Sequence, residues 1–469
     1  MDHRLILAIL TGKLIAFLVK LAGGGATAAP GLIALKIDPN LVKKLSKKIK
    51  YGAIIISGTN GKTTTARLAS DFLSSKFKTA HNRQGSNLLR GIASTLISLS
   101  SVTGKIRANL GLWEVDEATV PEAIKNTHPK IICLLNLFRD QLDRYGEVDT
   151  IRTKWQKALS ELSKDTVLIL NADDPGISIL ANFFAGKVVF FGVNDQKLDL
   201  PEITHVADIK HCLNCESGLK YTTLLSAHMG HYRCPNCNFK RPNPLIRAKN
   251  LKFKSDFSTE ADFTIHSSLF SIPRKYALVF TLHYNLPGLY NVYNLLAAVT
   301  IGNISKIDHA IFKEKIEKFS AAFGRFQKIK VGKKEIVIFL IKNPTGANEV
   351  IRIIAQKDKV HLLTILNDNI ADGKDVSWIW DTNWEVLAKK IKKASVSGTR
   401  SWDLATRFKY AEIELSKNNV YKNISYSIQK SIENLDNKNT LLILPTYTAL
   451  LEVQKTLAKM EASTKWHED

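Results

Sequence analysis

Residues 51–66 read YGAIIISGTNGKTTTA. The isoleucines at 54–56 follow Ala53 in a short, wholly apolar run, the mark of a strand covered on both faces. The run stops at a glycine-rich turn, Gly58-Thr59-Asn60-Gly61-Lys62-Thr63. From Thr63 to Phe77, Leu68, Phe72 and Leu73 fall on one side, which predicts a helix. Strand, glycine loop and helix open an α/β unit. A bound triphosphate needs converging backbone N–H donors, a cation and a hydroxyl for its Mg²⁺. The two glycines, Lys62 and Thr63 supply these, and the helix presents its positive end. The fuller pattern G-x-x-x-x-G-K-[ST] would need glycine where Ile56 stands, so this is a shortened loop.

The alternation continues outward. Ala108 to Val115, Lys130 to Leu137, Thr166 to Leu170 and Val188 to Phe191 are strand candidates separated by helical patterns, which predicts a mostly parallel sheet with helices on both faces. Phe263 to Leu282 is β-rich, and Asn291 to Ile301 has helical spacing. After Phe323-Gly324-Arg325 a second α/β pattern begins, with strands expected at Glu335 to Ile341, His361 to Leu366, Lys393 to Ser397 and Thr440 to Leu444. The expected division is residues 1–50 as an N-terminal helical segment, 51–325 as a nucleotide-binding domain, and 326–469 as a smaller Rossmann-like α/β domain. A length of 469 residues fits about three domains.

Between 205 and 244 the pattern breaks. Cys212-x-x-Cys215 and Cys234-x-x-Cys237 stand 18 residues apart, the spacing of a zinc ribbon in which four thiolates close one tetrahedral site. With no open position, the zinc is expected to be structural. His211, His228 and His231 nearby are expected to be exposed. The fifth cysteine, Cys133, lies in an apolar run and is expected to be buried and inert.

Lysine and arginine total 66 against 43 acids, a net charge of +23. This excess favours anionic partners or a solvated basic surface, and says nothing of fold. Leu5 to Leu21 is apolar, but Lys13 and Lys20 interrupt it, which argues against a spanning helix or a signal peptide. A packed or amphipathic helix is expected there, then a break at Gly23-Gly24-Gly25 and a second helix near Asn40 to Lys50. The chain is expected in the cytoplasm, with a peripheral contact at the inner membrane surface as a second possibility.

Further strings fall in order: Glu114-Val115-Asp116-Glu117; Asn136 to Gly146 (NLFRDQLDRYG); Asn171-Ala172-Asp173-Asp174-Pro175; Asn291 to Ala298 (NVYNLLAA); and Phe323-Gly324-Arg325. With GTNGKTTT, they resemble the Mur ligases, from about residue 50 to the end. Three features resemble the MurT family within that superfamily: the paired Cys-x-x-Cys, Lys342-Asn343-Pro344-Thr345-Gly346, and the string from Asn367 to Asp381 (NDNIADGKDVSWIWD). The resemblance implies a Mur-ligase-like fold and nucleotide contacts from Gly58, Thr59, Asn60, Gly61, Lys62, Thr63 and Thr64. It also implies adenine contact by Asn291, a contact near the ribose by Arg325, and Mg²⁺ held by Thr63 and Glu114. Lys62 and Asp375 are the implied catalytic residues, Asp375 by orienting a histidine of a second subunit. The implied reaction is ATP-dependent amidation of the D-glutamate α-carboxylate of lipid II to D-isoglutamine through an acyl phosphate. Its ammonia would come from a GatD-like glutaminase docked on the C-terminal domain; no nucleic-acid partner is expected. Gln141 replaces the histidine of many Mur ligases, which leaves a second metal site open. The alternatives are a Mur or folate-type ligase that adds a whole amino acid, and a nucleic-acid-binding ATPase.

Overall fold

A computed structural model describes residues 2–83, 86–139, 148–202, 207–266, 277–319, 326–436 and 439–460. The isoleucine run forms β1 (Ala53–Ser57), every residue of it buried. Alternate side chains of a strand face opposite ways. Ile54 and Ile56 enter one core layer with Phe72 and Leu296. Ile55 enters the other, with Trp113, Leu96 and Ile9. This two-sided burial places β1 inside a nine-stranded sheet, in the order β11-β10-β9-β6-β5-β4-β1-β3-β2. The other members are β2 (Thr79–His81), β3 (Leu110–Glu114), β4 (Pro129–Leu134), β5 (Val167–Asn171) and β6 (Lys187–Val193). They run parallel to one another and to β1. The ribbon hairpin, β7 (Lys220–Ser226) and β8 (Met229–Arg233), interrupts them and forms its own two-stranded sheet. β9 (Ile246–Phe253) then rejoins β6 in parallel, and β10 (Thr259–Ile265) and β11 (Leu278–Tyr284) finish the sheet antiparallel.

The chain moves from β1 toward β3 on one side and then crosses to β4 on the other. Loops at the carboxyl ends of strands part at such a reversal and leave a crevice. The glycine loop after Ser57 lies there, leading into the helix Lys62–Leu73.

The second sheet has the order β12-β13-β16-β14-β15. It comprises β12 (Phe326–Val331), β13 (Lys334–Phe339), β14 (Val360–Ile365), β15 (Ile391–Ser397) and β16 (Thr440–Pro445). β12 pairs antiparallel with β13; the remaining pairs are parallel. Separate apolar clusters cover its two faces.

The amino-terminal segment departs from expectation. The first helix runs His3–Leu21, but the next is Ala29–Ile37, with Pro30 in its first turn, and only a short helix, Leu41–Ser46, follows. Proline is favoured at a helix start because its missing N–H has no intrahelical partner there. The strand β12 was also not anticipated. Its alternating Lys328 and Lys330 give it the face of an edge strand, one side open to solvent.

Candidate active site

Gly61 takes φ +89°, and a Cβ there would lie 2.0 Å from Asn294 Oδ1. Only glycine lets the loop approach the buried Leu289–Ile304 helix so closely. That helix then braces the loop: Thr65 Oγ1 lies 3.4 Å from Asn294 Oδ1, which it can reach as donor. A second brace comes from the loop after β4. Asn60 N–H donates to Asn136 Oδ1 at 2.9 Å, and Asn136 Nδ2 returns a bond to the Asn60 carbonyl at 3.1 Å.

Lys62 is buried. Its Nζ donates to the Gly58 carbonyl at 2.6 Å and to Glu117 Oε2 at 2.9 Å. Burial presses its pKa down, but Glu117, with Asp116 and Glu114, more than offsets this and holds the ammonium charged. Thr63 Oγ1 donates to Glu114 Oε1 at 2.7 Å. Glu114 Oε2 is buried without a hydrogen-bond partner. A hydroxyl beside an unsatisfied carboxylate oxygen, at the foot of a phosphate loop, is the hard-oxygen donor set that suits Mg²⁺. Register accounts for the placement: Ile56 of β1 pairs with Glu114 of β3, so the carboxylate rises at the level where the loop begins.

Asn291 is buried, not on an exposed helix face; its Nδ2 donates to the Pro287 carbonyl at 2.7 Å and its Oδ1 accepts from Asn294 at 3.2 Å. It lines, with Asn60, Thr64, Tyr290, Phe326 and Glu349, a cleft between the two sheets' domains. Arg325 and Gln141, together with 140–147 and 320–324, lie outside the described residues.

Several contacts of this site carried no role in the sequence reading. Lys342 Nζ donates to the Thr59 carbonyl at 3.3 Å, and Asn343 Nδ2 to Asn60 Oδ1 at 3.1 Å. The second domain therefore touches the glycine loop itself. Arg352 spans the same boundary, donating to the Leu225 carbonyl at 2.8 Å and the Leu198 carbonyl at 3.0 Å. Ser226 Oγ donates to Glu349 Oε1 at 2.7 Å. Burial pushes the Glu349 carboxyl up, against the pull of Arg352. The ribbon hairpin is thus one wall of the cleft. Glu117, Lys342 and Asn343 all stood within quoted strings, but only their tertiary partners assign them a place.

The four ribbon cysteines bring their sulfurs within 4.8 Å of one another. Cys212–Cys237 and Cys215–Cys234 are 3.5 and 3.4 Å apart. A tetrahedron with Zn–S of about 2.3 Å has edges of about 3.8 Å, so the cradle fits one such ion. The ribbon's own apolar core is small, built round Ile209, Leu219 and Tyr232. Metal binding to such a site adds to folding stability. One zinc per chain is expected by elemental analysis, and a strong chelator should lower the melting temperature. Less than half an equivalent with all thiols reduced would refute the assignment. His228 is fully buried, contrary to expectation: its Nδ1 accepts the Asp208 N–H at 3.2 Å, beside Phe138. Cys133 is buried in β4, and burial pushes its thiol up, as an inert core position requires.

Asp375 stands on the loop after β14. It is exposed, and its carboxylate accepts the Ser377 N–H at 2.8 Å. Hydrogen bonds from Ser377, backbone first, hold its pKa below the usual aspartate range. Asp368 and Asp372 differ: they are tied to Thr399 Oγ1 at 2.8 Å and to the Thr448 N–H at 2.7 Å. Those two tie the loop to distant segments, whereas Asp375 makes the local contact of an Asx turn, to the N–H two residues on. Trp384 is core, whereas Trp380 is exposed and packs edge-on against the exposed Tyr410, ring centres 5.5 Å apart.

Residues 56–238 match the family described as Mur ligase middle domain, and 340–450 match MurT ligase C-terminal. The chain is 32% identical to the lipid II isoglutaminyl synthase (glutamine-hydrolyzing) subunit MurT of Streptococcus pneumoniae, over 99% of each chain. It belongs to the MurT family of Mur ligases. The Staphylococcus aureus subunit of the same description is also 32% identical, over 96% of this chain and 97% of its own. Among solved structures, a pseudomurein peptide ligase type C from Methanothermus fervidus superposes with a TM-score of 0.65 at 22% identity, covering 89% of this chain and 80% of that one. MurF from Acinetobacter baumannii gives 0.65 at 16% identity, covering 92% and 81%. These two likenesses bear on the fold alone: the Mur-ligase α/β scaffold, here carrying a cysteine cluster inserted between β6 and β9.

Proposed function

We propose that this MurT-family chain activates a carboxylate with ATP for amidation, as one subunit of a glutamine-hydrolysing lipid II isoglutaminyl synthase. The observation that carries the reading is the Lys62, Thr63 and Glu114 constellation at the strand reversal, in a chain whose described cysteines include no glutaminase nucleophile. Four cysteines belong to the ribbon, and Cys133 is sealed in the sheet.

The acceptor is taken to be the D-glutamate α-carboxylate of lipid II. Its oxygen attacks the γ-phosphorus of ATP, the bond to the β-phosphate oxygen breaks, and ADP leaves. Lys62 Nζ meets the charge that spreads over the transferring phosphoryl group. Thr63 and Glu114 would hold a Mg²⁺, which would supply neutralisation of the phosphate charge. Ammonia then adds to the acyl carbon, nitrogen loses a proton, and phosphate departs, giving D-isoglutamine. Asn291, which lines the cleft, is proposed to meet the adenine on family resemblance, and Lys342 reaches the loop from the second sheet's side. Arg325 is proposed near the ribose on family resemblance. The ammonia is proposed to come from a GatD-like glutaminase docked where Asp375 is exposed.

Mass analysis of the acceptor separates this from addition of a whole amino acid. Exchange of OH for NH₂ is expected, with one ADP per amide. A gain of one amino-acid residue, or ATP turnover stimulated by nucleic acid with no change in acceptor mass, overturns it.

A further inference from the structure

The His3–Leu21 helix is apolar nearly all round, yet only one face is covered. Leu5, Ala8, Ile9 and Gly12 are buried. Gly12 sits so close to the helix Leu89–Leu99 that a Cβ would lie 2.8 Å from Ile97 Cδ1. The helix is therefore docked on the protein body, and its outer face is fixed in place. That face carries Leu7, Leu10, Leu14, Phe17, Leu18 and Leu21, all exposed, with Phe17 60% and Leu21 70% accessible. Steps of three and four residues align them in one stripe. Leu32 of the Ala29–Ile37 helix packed beside it is exposed as well. A helix with apolar residues on every side ordinarily lies wholly inside something.

The charges tell what covers it. Residues 3–37 contain Arg4, Lys13, Lys20 and Lys36 and no acid. The flanking acids, Asp2 and Asp38, are both engaged by Lys44 at 2.7 Å. A second copy seated on the stripe would bring these cations face to face with no carboxylate from either helix to pair them. An anionic lipid surface neutralises them and accepts the apolar side chains together. No helix among the described residues is long and apolar enough to cross a membrane. At 19 residues, this helix spans roughly 28 Å lying flat.

We propose that the outer face of the first helix is a docking surface for an anionic lipid bilayer, with Leu14, Phe17 and Leu21 in the acyl boundary and Lys13 and Lys20 at the headgroups. This deepens the reading of a lipid-linked acceptor and leans on it for the occupant, but its test needs no acceptor.

The full chain is floated with vesicles of equimolar phosphatidylglycerol and phosphatidylcholine, and with vesicles of phosphatidylcholine alone. Binding to the anionic vesicles is expected, weakening with salt, with little to the neutral ones. The double variant Leu14→Glu/Phe17→Glu should lose it, while melting temperature and nucleotide binding stay as in the parent. The double variant Lys13→Gln/Lys20→Gln keeps the apolar stripe and should bind about thirtyfold more weakly, the factor carried by two cations at a charged surface. No flotation overturns the proposal, as do equal binding to neutral vesicles or variants that bind like the parent. So does a dimer in sedimentation that Leu14→Glu/Phe17→Glu breaks, since a second copy then covers the face. Amidation of detergent-dispersed acceptor is read separately. Its failure with intact vesicle binding sinks the reaction and not the docking surface.

Discussion

Replacing Lys62 by methionine is expected to abolish amidation of the acceptor, by about a thousandfold or more, even when free ammonium replaces glutamine. The argument starts from where the ammonium is held. Nζ is buried between the Gly58 carbonyl and Glu117, and the surrounding acids keep it charged despite burial. A charge preset in a water-poor crevice needs no reorganisation as the phosphoryl group develops negative charge, which is why removing it has so large an effect. The single variant also strands Glu117 as an unpaired buried carboxylate, which costs about 3–5 kcal/mol. A loss of activity could then be a loss of fold. The double variant Lys62→Met/Glu117→Gln removes both charges together and should recover most of the melting temperature while remaining inactive. Phosphate release and acceptor mass, measured with saturating ammonium, check the result. Appreciable amide formation by the folded double variant would remove Lys62 from the chemistry.

The residues differ in how readily the sequence betrays them, for a physical reason. The glycine loop is legible because its chemistry is local. Strand, turn, lysine, threonine and helix are neighbours along the chain, and each is restricted by the same requirement for donors aimed at phosphate. The ribbon is legible for a similar reason, since each Cys-x-x-Cys knuckle holds two ligands within one turn. Glu114 is intermediate: its string is readable, but its place beside the loop comes from the register of β3 against β1. What the sequence hides depends on contacts between distant segments. Lys342 meets Thr59 across 283 positions, and nothing in KNPTG states which surface it will face. His228 resembles an exposed loop histidine until the ribbon folds back over Phe138 and buries it. The Ala29–Ile37 helix was hidden by its glycine- and proline-rich entry, which read as a break although proline at a helix start is favourable. The outer stripe of the first helix was visible as apolarity, but only the packing of Gly12 against Ile97 says which half remains uncovered. Local chemistry is therefore a better guide to the reacting groups than to the walls that enclose them.

Exchange of Asp375 for asparagine should separate the two sources of nitrogen. Glutamine-driven amidation is expected to fall about 10³–10⁴-fold, and ammonium-driven amidation to stay at the parent level. The carboxylate is exposed on the loop after β14, and the Ser377 N–H that it accepts holds it ionised through neutral pH. Asparagine keeps an oxygen for that N–H, so the turn persists and only the charge is lost. An exposed, ionised carboxylate of this kind is proposed to fix the tautomer of a histidine carried by a docked glutaminase and to stabilise its imidazolium. Exposed Trp380, Tyr410 and Ile370 nearby in the fold or sequence offer apolar contact of the kind that interface centres favour. Because the carboxyl pKa is lowered, the glutamine-driven rate should hold its Asp375 contribution down to acid pH and lose it only below the ordinary aspartate range. The decisive comparison is one preparation of the two-subunit enzyme assayed with each nitrogen source, alongside a binding measurement between the subunits. An equal loss with ammonium and glutamine would assign Asp375 to the acid-activating half, and a glutamine-specific loss that merely tracks weaker subunit binding would make it a docking residue instead.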